Sequence, residues 1–207
     1  MQLLDFQISK KLLSKYKIPF LETEVFESEK KARQFAKKIG FPVVLKVSSR
    51  KIFHRTDIGG VKVGLGNEKE FKTAFVKLLR IKDAEGVLVQ KMGQGEQIVL
   101  GMKRDGQFGP VLMFGLGGIF VEILKDISFR VCPVSAKEAL KMIKEIKGYS
   151  ILKGARTGKE VNINALVSII VGLSKLSLKE KSIKEIDLNP VITNEKGAWA
   201  ADFKFFV

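Results

Sequence analysis

The last stretch of the chain, EIDLNPVITNEKGAWAADFKFF from Glu185 to Phe206, leaves little freedom in what it can fold into. Apolar and polar residues alternate along it, the period of a strand with one buried face. Asn194-Glu195-Lys196-Gly197 supplies turn chemistry between its two halves. A hairpin centred between Glu195 and Lys196 sets Thr193 opposite Ala198, Ile192 opposite Trp199 and Asn189 opposite Asp202. Ile186 and Leu188 then share one face, and Asp187 and Asn189 the other. Directly opposed residues point to the same side, so Asp187, Asn189 and Asp202 gather into a cluster of oxygen donors. Hard oxygen ligands of this kind suit Mg²⁺ held together with substrate phosphates. A solvated polar face would give the same pattern, and a slip of one residue would break the cluster.

The rest of the chain reads as helices interspersed with strands. Residues 7–16 are amphipathic and stop before Ile18-Pro19. Ser28 can cap a helix through Lys38 that Gly40 ends. Asn67 with Glu70 starts a helix to about Arg80. Ser135 with Glu138 forms a capping box for another, closed by Gly148. Residues 162–176 make a helix apolar around most of its surface. Strands are expected at 42–47, 61–65, 86–92, 97–103, 110–114, 129–134, 183–193 and 198–206. Several of these are joined by short links, which favours α+β lobes with largely antiparallel sheets over a doubly wound parallel sheet. The expected lobes are residues 1–88 and 89–207, divided where GVLVQKMGQGE leaves a strand for a glycine-spaced turn.

Lys46 interrupts the apolar run PVVLKV and shares a face with Val44. An ammonium is costly to bury without an anion, so Lys46 either snorkels to water or meets a phosphate or carboxylate. Ser48 to Ile58 follows, about eleven residues where hairpin links run two to five. It carries Arg50, Lys51, Arg55 and the only histidine of the chain, His54, and leaves through Gly59-Gly60. Glycines let backbone amides approach an anion closely. His54 is open to three readings: an imidazole satisfied in the core, a phosphate contact, or a nucleophile neutral enough to attack phosphorus.

Other chemistries are absent from the sequence. GARTGKE at 154–160 is one residue short of a GxxxxGK[ST] loop, and FGLGGIF at 114–120 does not have GxGxxG spacing. One cysteine and one histidine rule out a Cys/His zinc site, and the single Cys132 fits a reducing cytoplasm. No secretory leader and no apolar run of membrane-spanning length is visible. The net charge of +15 favours anionic partners. The lysines are scattered over helix faces and the fifteen phenylalanines mostly sit at core-like positions, which argues against a nucleic-acid-binding module.

Taken together, GFPVVLKVSS, FHRTDIGGVKVGL, VLVQKM with GEQIVLGMKRDGQFGPVLMFGLGGIFVEILKDISFRVCP, and EIDLNPV with AADFKF resemble the beta subunit of ADP-forming acyl-CoA synthetases of the acetate–CoA ligase type, nearly end to end. The resemblance implies an ATP-grasp fold, two α+β lobes with nucleotide held between them. It implies a ligase subunit that uses Mg²⁺ and ATP or ADP, alongside a CoA-binding alpha subunit in an alpha2-beta2 assembly. Lys46 would contact nucleotide phosphates, and His54 would carry a phosphoryl group received from the alpha subunit. Gly59 and Gly60 match a glycine-rich turn. Gln90, Lys91 and Met92 match the hinge that holds adenine, and Glu96 an acidic position near the ribose. Asn189 and Asp202 match magnesium ligands, accompanied by Asp187, and Arg130 an arginine that meets phosphate. Thr157 stands where the family pattern has glycine, so Arg156 is given no role. Another ATP-grasp ligase, such as a succinyl-CoA synthetase-like beta chain, is the alternative enzyme.

Overall fold

The computed structural model describes residues 1–52, 55–155 and 158–207. In chain order the elements are α1 (Phe6–Lys15), β1 (Thr23–Phe26), α2 (Glu29–Ile39), β2 (Val43–Ser48), β3 (Val61–Leu65), α3 (Glu68–Leu79), β4 (Gly86–Lys91), β5 (Glu96–Asp105), β6 (Gly109–Leu116), α4 (Ile119–Glu122), β7 (Ile127–Val131), α5 (Ala136–Glu145), α6 (Tyr149–Leu152), α7 (Ile163–Lys179), β8 (Glu185–Asn194), β9 (Gly197–Ala200) and β10 (Lys204–Phe206). The expected helix starts are made by the side chains that signalled them. Asn67 accepts from the Glu70 N–H at 3.0 Å and Ser135 from the Glu138 N–H at 3.2 Å. Ser28 stands at the start of α2 without a side-chain capping bond, and Gly40 ends that helix at φ 82°. Asp5 caps α1 by accepting from the Gln7 N–H at 2.8 Å.

The chain divides into two compact units, residues 21–93 and residues 1–20 with 94–207. This differs from the expected split at 88/89 in both places. The N-terminal helix joins the larger unit because Leu13 and Ile18, both fully buried, enter its core. Pro19 also holds this segment, its carbonyl accepting from the Ala200 N–H at 2.9 Å.

The smaller unit is an antiparallel sheet ordered β1-β4-β2-β3. Val43, Leu45, Val87 and Val89 face α2 and α3 and close the core with Phe71 and Phe75. The opposite parity places Val44, Lys46, Leu88 and Gln90 on the other face, in register Val44–Gln90 and Lys46–Leu88. β1 was not expected. It is a four-residue edge strand with one buried residue, Thr23, and its pairing with β4 is what makes it a strand.

The larger unit has an antiparallel sheet ordered β10-β8-β5-β6-β7, with β9 also on β8. Leu100, Met102, Leu112, Phe114, Ile186 and Leu188 point into one core with α5 and α7. The other face stays outside that core and carries Gly101, Lys103, Met113, Phe129 and Asp187. β7 runs over 127–131 rather than 129–134, because Cys132 and Pro133 already turn toward Ser135 at the head of α5. The expected strand 198–206 is broken at 201–203. There the N–H groups of Ala201 and Asp202 both donate to the Pro190 carbonyl, at 2.9 and 3.3 Å, instead of alternating along a ladder.

Candidate functional site

The hairpin keeps the expected register. Asn194 opposes Gly197, Thr193 opposes Ala198 and Ile192 opposes Trp199. Past the break the count is unchanged, with Lys204 opposite Asp187. Between these points the Asn189 N–H donates to the Asp202 carbonyl at 3.2 Å. β8 also bulges against β5: Leu188 pairs Leu100 and Val191 pairs Ile98, so Asn189 and Pro190 together oppose Val99. A bulge re-aims side chains locally, which period-two counting does not capture.

Asp187 is half-buried, and burial pushes its carboxyl above the ordinary range. The Asp202 and Glu185 charges add to that push, while Lys204 opposes it. Lys204 Nζ lies 4.0 Å from Asp187 Oδ2. Among the described residues no three His, Cys, Asp or Glu side chains are arranged to hold a metal unaided. The set here is two carboxylates and an amide oxygen, and it fits magnesium shared with phosphate oxygens. A cation would also relieve the burden that burial places on Asp187. Alongside lies a cavity of about 560 Å³ lined by Gly101, Lys103, Val111, Met113, Phe129 and Asp187. Glu185, Lys103 and Lys204 were absent from the sequence reading, although the alternation that exposed Asp187 and Asp202 places them on the same face.

In the smaller unit Lys46 and Gln90 are buried, on the face that α2 and α3 leave uncovered. The Lys91 N–H donates to the Glu22 carbonyl at 2.9 Å, and Met92 is partly buried just before the boundary of the unit. The loop after β2 is held at both ends. Arg50 pairs with Glu85 and Lys51 with Asp83, each at 3.2 Å. The N–H of Gly59 donates to Thr56 O at 3.0 Å and that of Gly60 to Arg55 O at 2.7 Å. Those two amides therefore stabilise the turn itself and are not presented to an anion. A Cβ on Gly60 would stand 2.7 Å from Val47 Cγ1 and 2.8 Å from Arg55 O, so close packing also accounts for that glycine. His54 lies outside the described residues, as do Arg156 and Thr157.

Two expected residues of the larger unit stand elsewhere. Glu96 opposes Thr193 and lines a separate cavity of about 280 Å³ with Lys159 and Asn194. Arg130 opposes the core residue Leu112, so it points to the helix side of the sheet, away from Asp187. It pairs with Glu138 at 3.3 Å and with Glu145, both on α5. Phe129, one residue earlier, is the side chain this strand gives to the cavity. Arg130 thus ties the sheet to α5 through Glu138 and Glu145.

Two units, each an antiparallel sheet backed by helices, define an α+β class of protein. A model of the ATP-grasp domain matches residues 1–207, and the chain belongs to that family. It is 46% identical to the acetate–CoA ligase [ADP-forming] I subunit beta of Pyrococcus furiosus, covering 96% of this chain and 89% of that one. It is 44% identical to acetate–CoA ligase [ADP-forming] I of Archaeoglobus fulgidus over 93% of this chain but spans only 29% of that longer protein. Acetyl-coenzyme A synthetase 1 of Ca. Korarchaeum cryptofilum, in complex with coenzyme A and Mg-AMPPCP and with its phosphohistidine segment pointing towards the nucleotide binding site, superposes with a TM-score of 0.87 at 37% identity. That match covers 100% of this chain and 93% of the other.

Proposed function

We propose that this chain is the nucleotide-binding beta subunit of an ADP-forming acyl-CoA synthetase. With a CoA-binding alpha subunit it interconverts acyl-CoA, ADP and phosphate with acid, CoA and ATP. The observation that supports the reading is the β8–β9–β10 register, which sets Lys204 opposite Asp187 and Asn189 against Asp202, with Asp187 lining a cavity, in a chain 46% identical to such a subunit. Asp187, Asn189 and Asp202 would hold Mg²⁺, which when bound neutralises charge on the nucleotide phosphates. Lys46 supplies a second, fixed positive charge to the phosphates, and the backbone at Gln90 to Met92 and Glu96 receive adenine and ribose. His54 carries the phosphoryl group in transit, a covalent relay that splits one long transfer into two shorter ones. The assembly is alpha2-beta2 and cytoplasmic. Among the described residues no helix is long and apolar enough to cross a membrane.

Calorimetry tests the nucleotide site. The chain should bind ADP or ATP in a Mg²⁺-dependent manner, and Asn189→Ala with Asp202→Ala should abolish the metal dependence. Magnesium-independent binding that survives the double substitution would remove the hairpin cluster from the site. Mixed with the alpha subunit and acetyl phosphate as phosphoryl donor, the wild-type chain should gain an acid-labile phosphate that His54→Asn lacks.

A further inference from the structure

We propose that Lys204 is a phosphate-binding residue of this site, an inference that rests on the nucleotide reading above. Register puts Lys204 opposite Asp187, outside the core formed by Ile186, Leu188 and Phe205. Its side chain is only 20% exposed, so the ammonium is held against the sheet instead of extending into water. It stands beside Asp187, on which the charges of Glu185 and Asp202 also act. Yet its nearest approach to Asp187 is 4.0 Å. A charge-assisted hydrogen bond runs about 2.7–2.9 Å, so the ammonium donors are not committed to that carboxylate.

The arrangement is informative about what enters. A divalent cation bound by Asp187, Asn189 and Asp202 takes the carboxylate charge that Lys204 now faces. A lysine left beside a metal without a counter-charge is strongly disfavoured in a half-buried position. An anion bridging metal and ammonium resolves this, and the terminal phosphate oxygens of a nucleotide have that charge and reach. Lys204 would then supply positive charge to the terminal phosphate alongside a cation held by those three residues. The flexible stem and rotatable donors of lysine suit a group whose partner changes from carboxylate to phosphate.

The competing role is purely structural, with Lys204 serving only to offset Asp187. Calorimetry with Mg-AMPPCP and with AMP as probes separates the two, on wild type, Lys204→Met and Lys204→Arg. Methionine keeps the apolar stem and length, and thermal unfolding verifies that each variant is folded. The expected result is that Lys204→Met weakens Mg-AMPPCP by about tenfold or more, the loss of one charge-assisted bond. AMP, lacking the terminal phosphates, should be unaffected, and Lys204→Arg should restore most of the loss. Unchanged Mg-AMPPCP affinity, or equal losses for both nucleotides, overturns the inference while leaving the nucleotide reading intact. A folded wild-type chain that binds neither probe overturns the nucleotide reading, and this inference with it.

Discussion

Gly172 and Asp126 show how single side chains, or their absence, hold the larger unit together. A Cβ on Gly172, in the middle of α7, would stand 2.9 Å from the Tyr16 carbonyl oxygen and 3.0 Å from Ile18 Cγ1. Alanine at a helix position gains about 1 kcal/mol in propensity over glycine. Forcing a methyl against backbone costs about 1–3 kcal/mol. We expect the second effect to win, with Gly172→Ala less stable in urea denaturation by up to roughly 2 kcal/mol. Asp126 is buried, and its carboxylate accepts from the N–H groups of Lys147 and Gly148, both at 2.7 Å. Asp126→Ala strands both donors and should cost about 2–4 kcal/mol by the same measurement. The sequence announced neither residue. Both roles depend on backbone groups tens of positions away.

At the scale of elements, two arginines tie sheet to helices. Arg104 on β5 donates to the carbonyls of Ser177 at 2.7 Å and Ile183 at 3.1 Å, satisfying one orphan acceptor in the last turn of α7 and one in the segment that follows it. A lysine lacks the planar fork that reaches both, so Arg104→Lys should lower the melting temperature nearly as much as Arg104→Met. Arg130 works through charge. Its bond to Glu145 holds that carboxyl below the ordinary glutamate range. Glu138 is lowered as well, by Lys141 first and then by Arg130. A depressed carboxylate stabilises the fold above its unfolded pKa, and the contribution is lost as pH falls through the folded value. The gap in melting temperature between wild type and Arg130→Met should therefore close as pH drops below the ordinary glutamate range. A gap that stays constant with pH would mean that Arg130 acts by packing alone. The hairpin belongs to this scale too. Its turn residues and alternation were enough to place Asn189 opposite Asp202, because strand pairing across a tight turn is a local matter. The bulge at Asn189-Pro190 was not legible, since it arises from pairing with β5, about ninety positions away in the chain.

For the whole molecule, the first twenty residues matter more than their position suggests. Leu13 and Ile18 are fully buried in the core of the larger unit. Deleting residues 1–20 should destabilise that unit by about 3–6 kcal/mol, the burial of two large aliphatic side chains. Hydrogen exchange should show protection lost across β5, β8 and α7 and kept in β2 and β4. Loss spread evenly over both units would contradict the division described above. The charge of +15 belongs to the same scale. Arg50, Lys51 and Arg130 are among the cations answered by carboxylates, so charge alone does not mark a nucleic-acid surface.

By itself the sequence determined what short-range physics controls: alternation and period, the Asn67 and Ser135 caps, the stop at Gly40, and the turn that fixes the hairpin register. Each follows from residues within a few positions of one another, and the register that sets Asp187 opposite Lys204 and Asn189 against Asp202 was legible for that reason. Tertiary structure alone decided the rest. It made a strand of Thr23–Phe26 by pairing it with β4, and broke the ladder at 201–203 against Pro190. It drew α1 into the larger unit and turned Arg130 toward α5. These outcomes come from contacts between distant segments, whose energies depend on which surfaces meet and are not written in any local window.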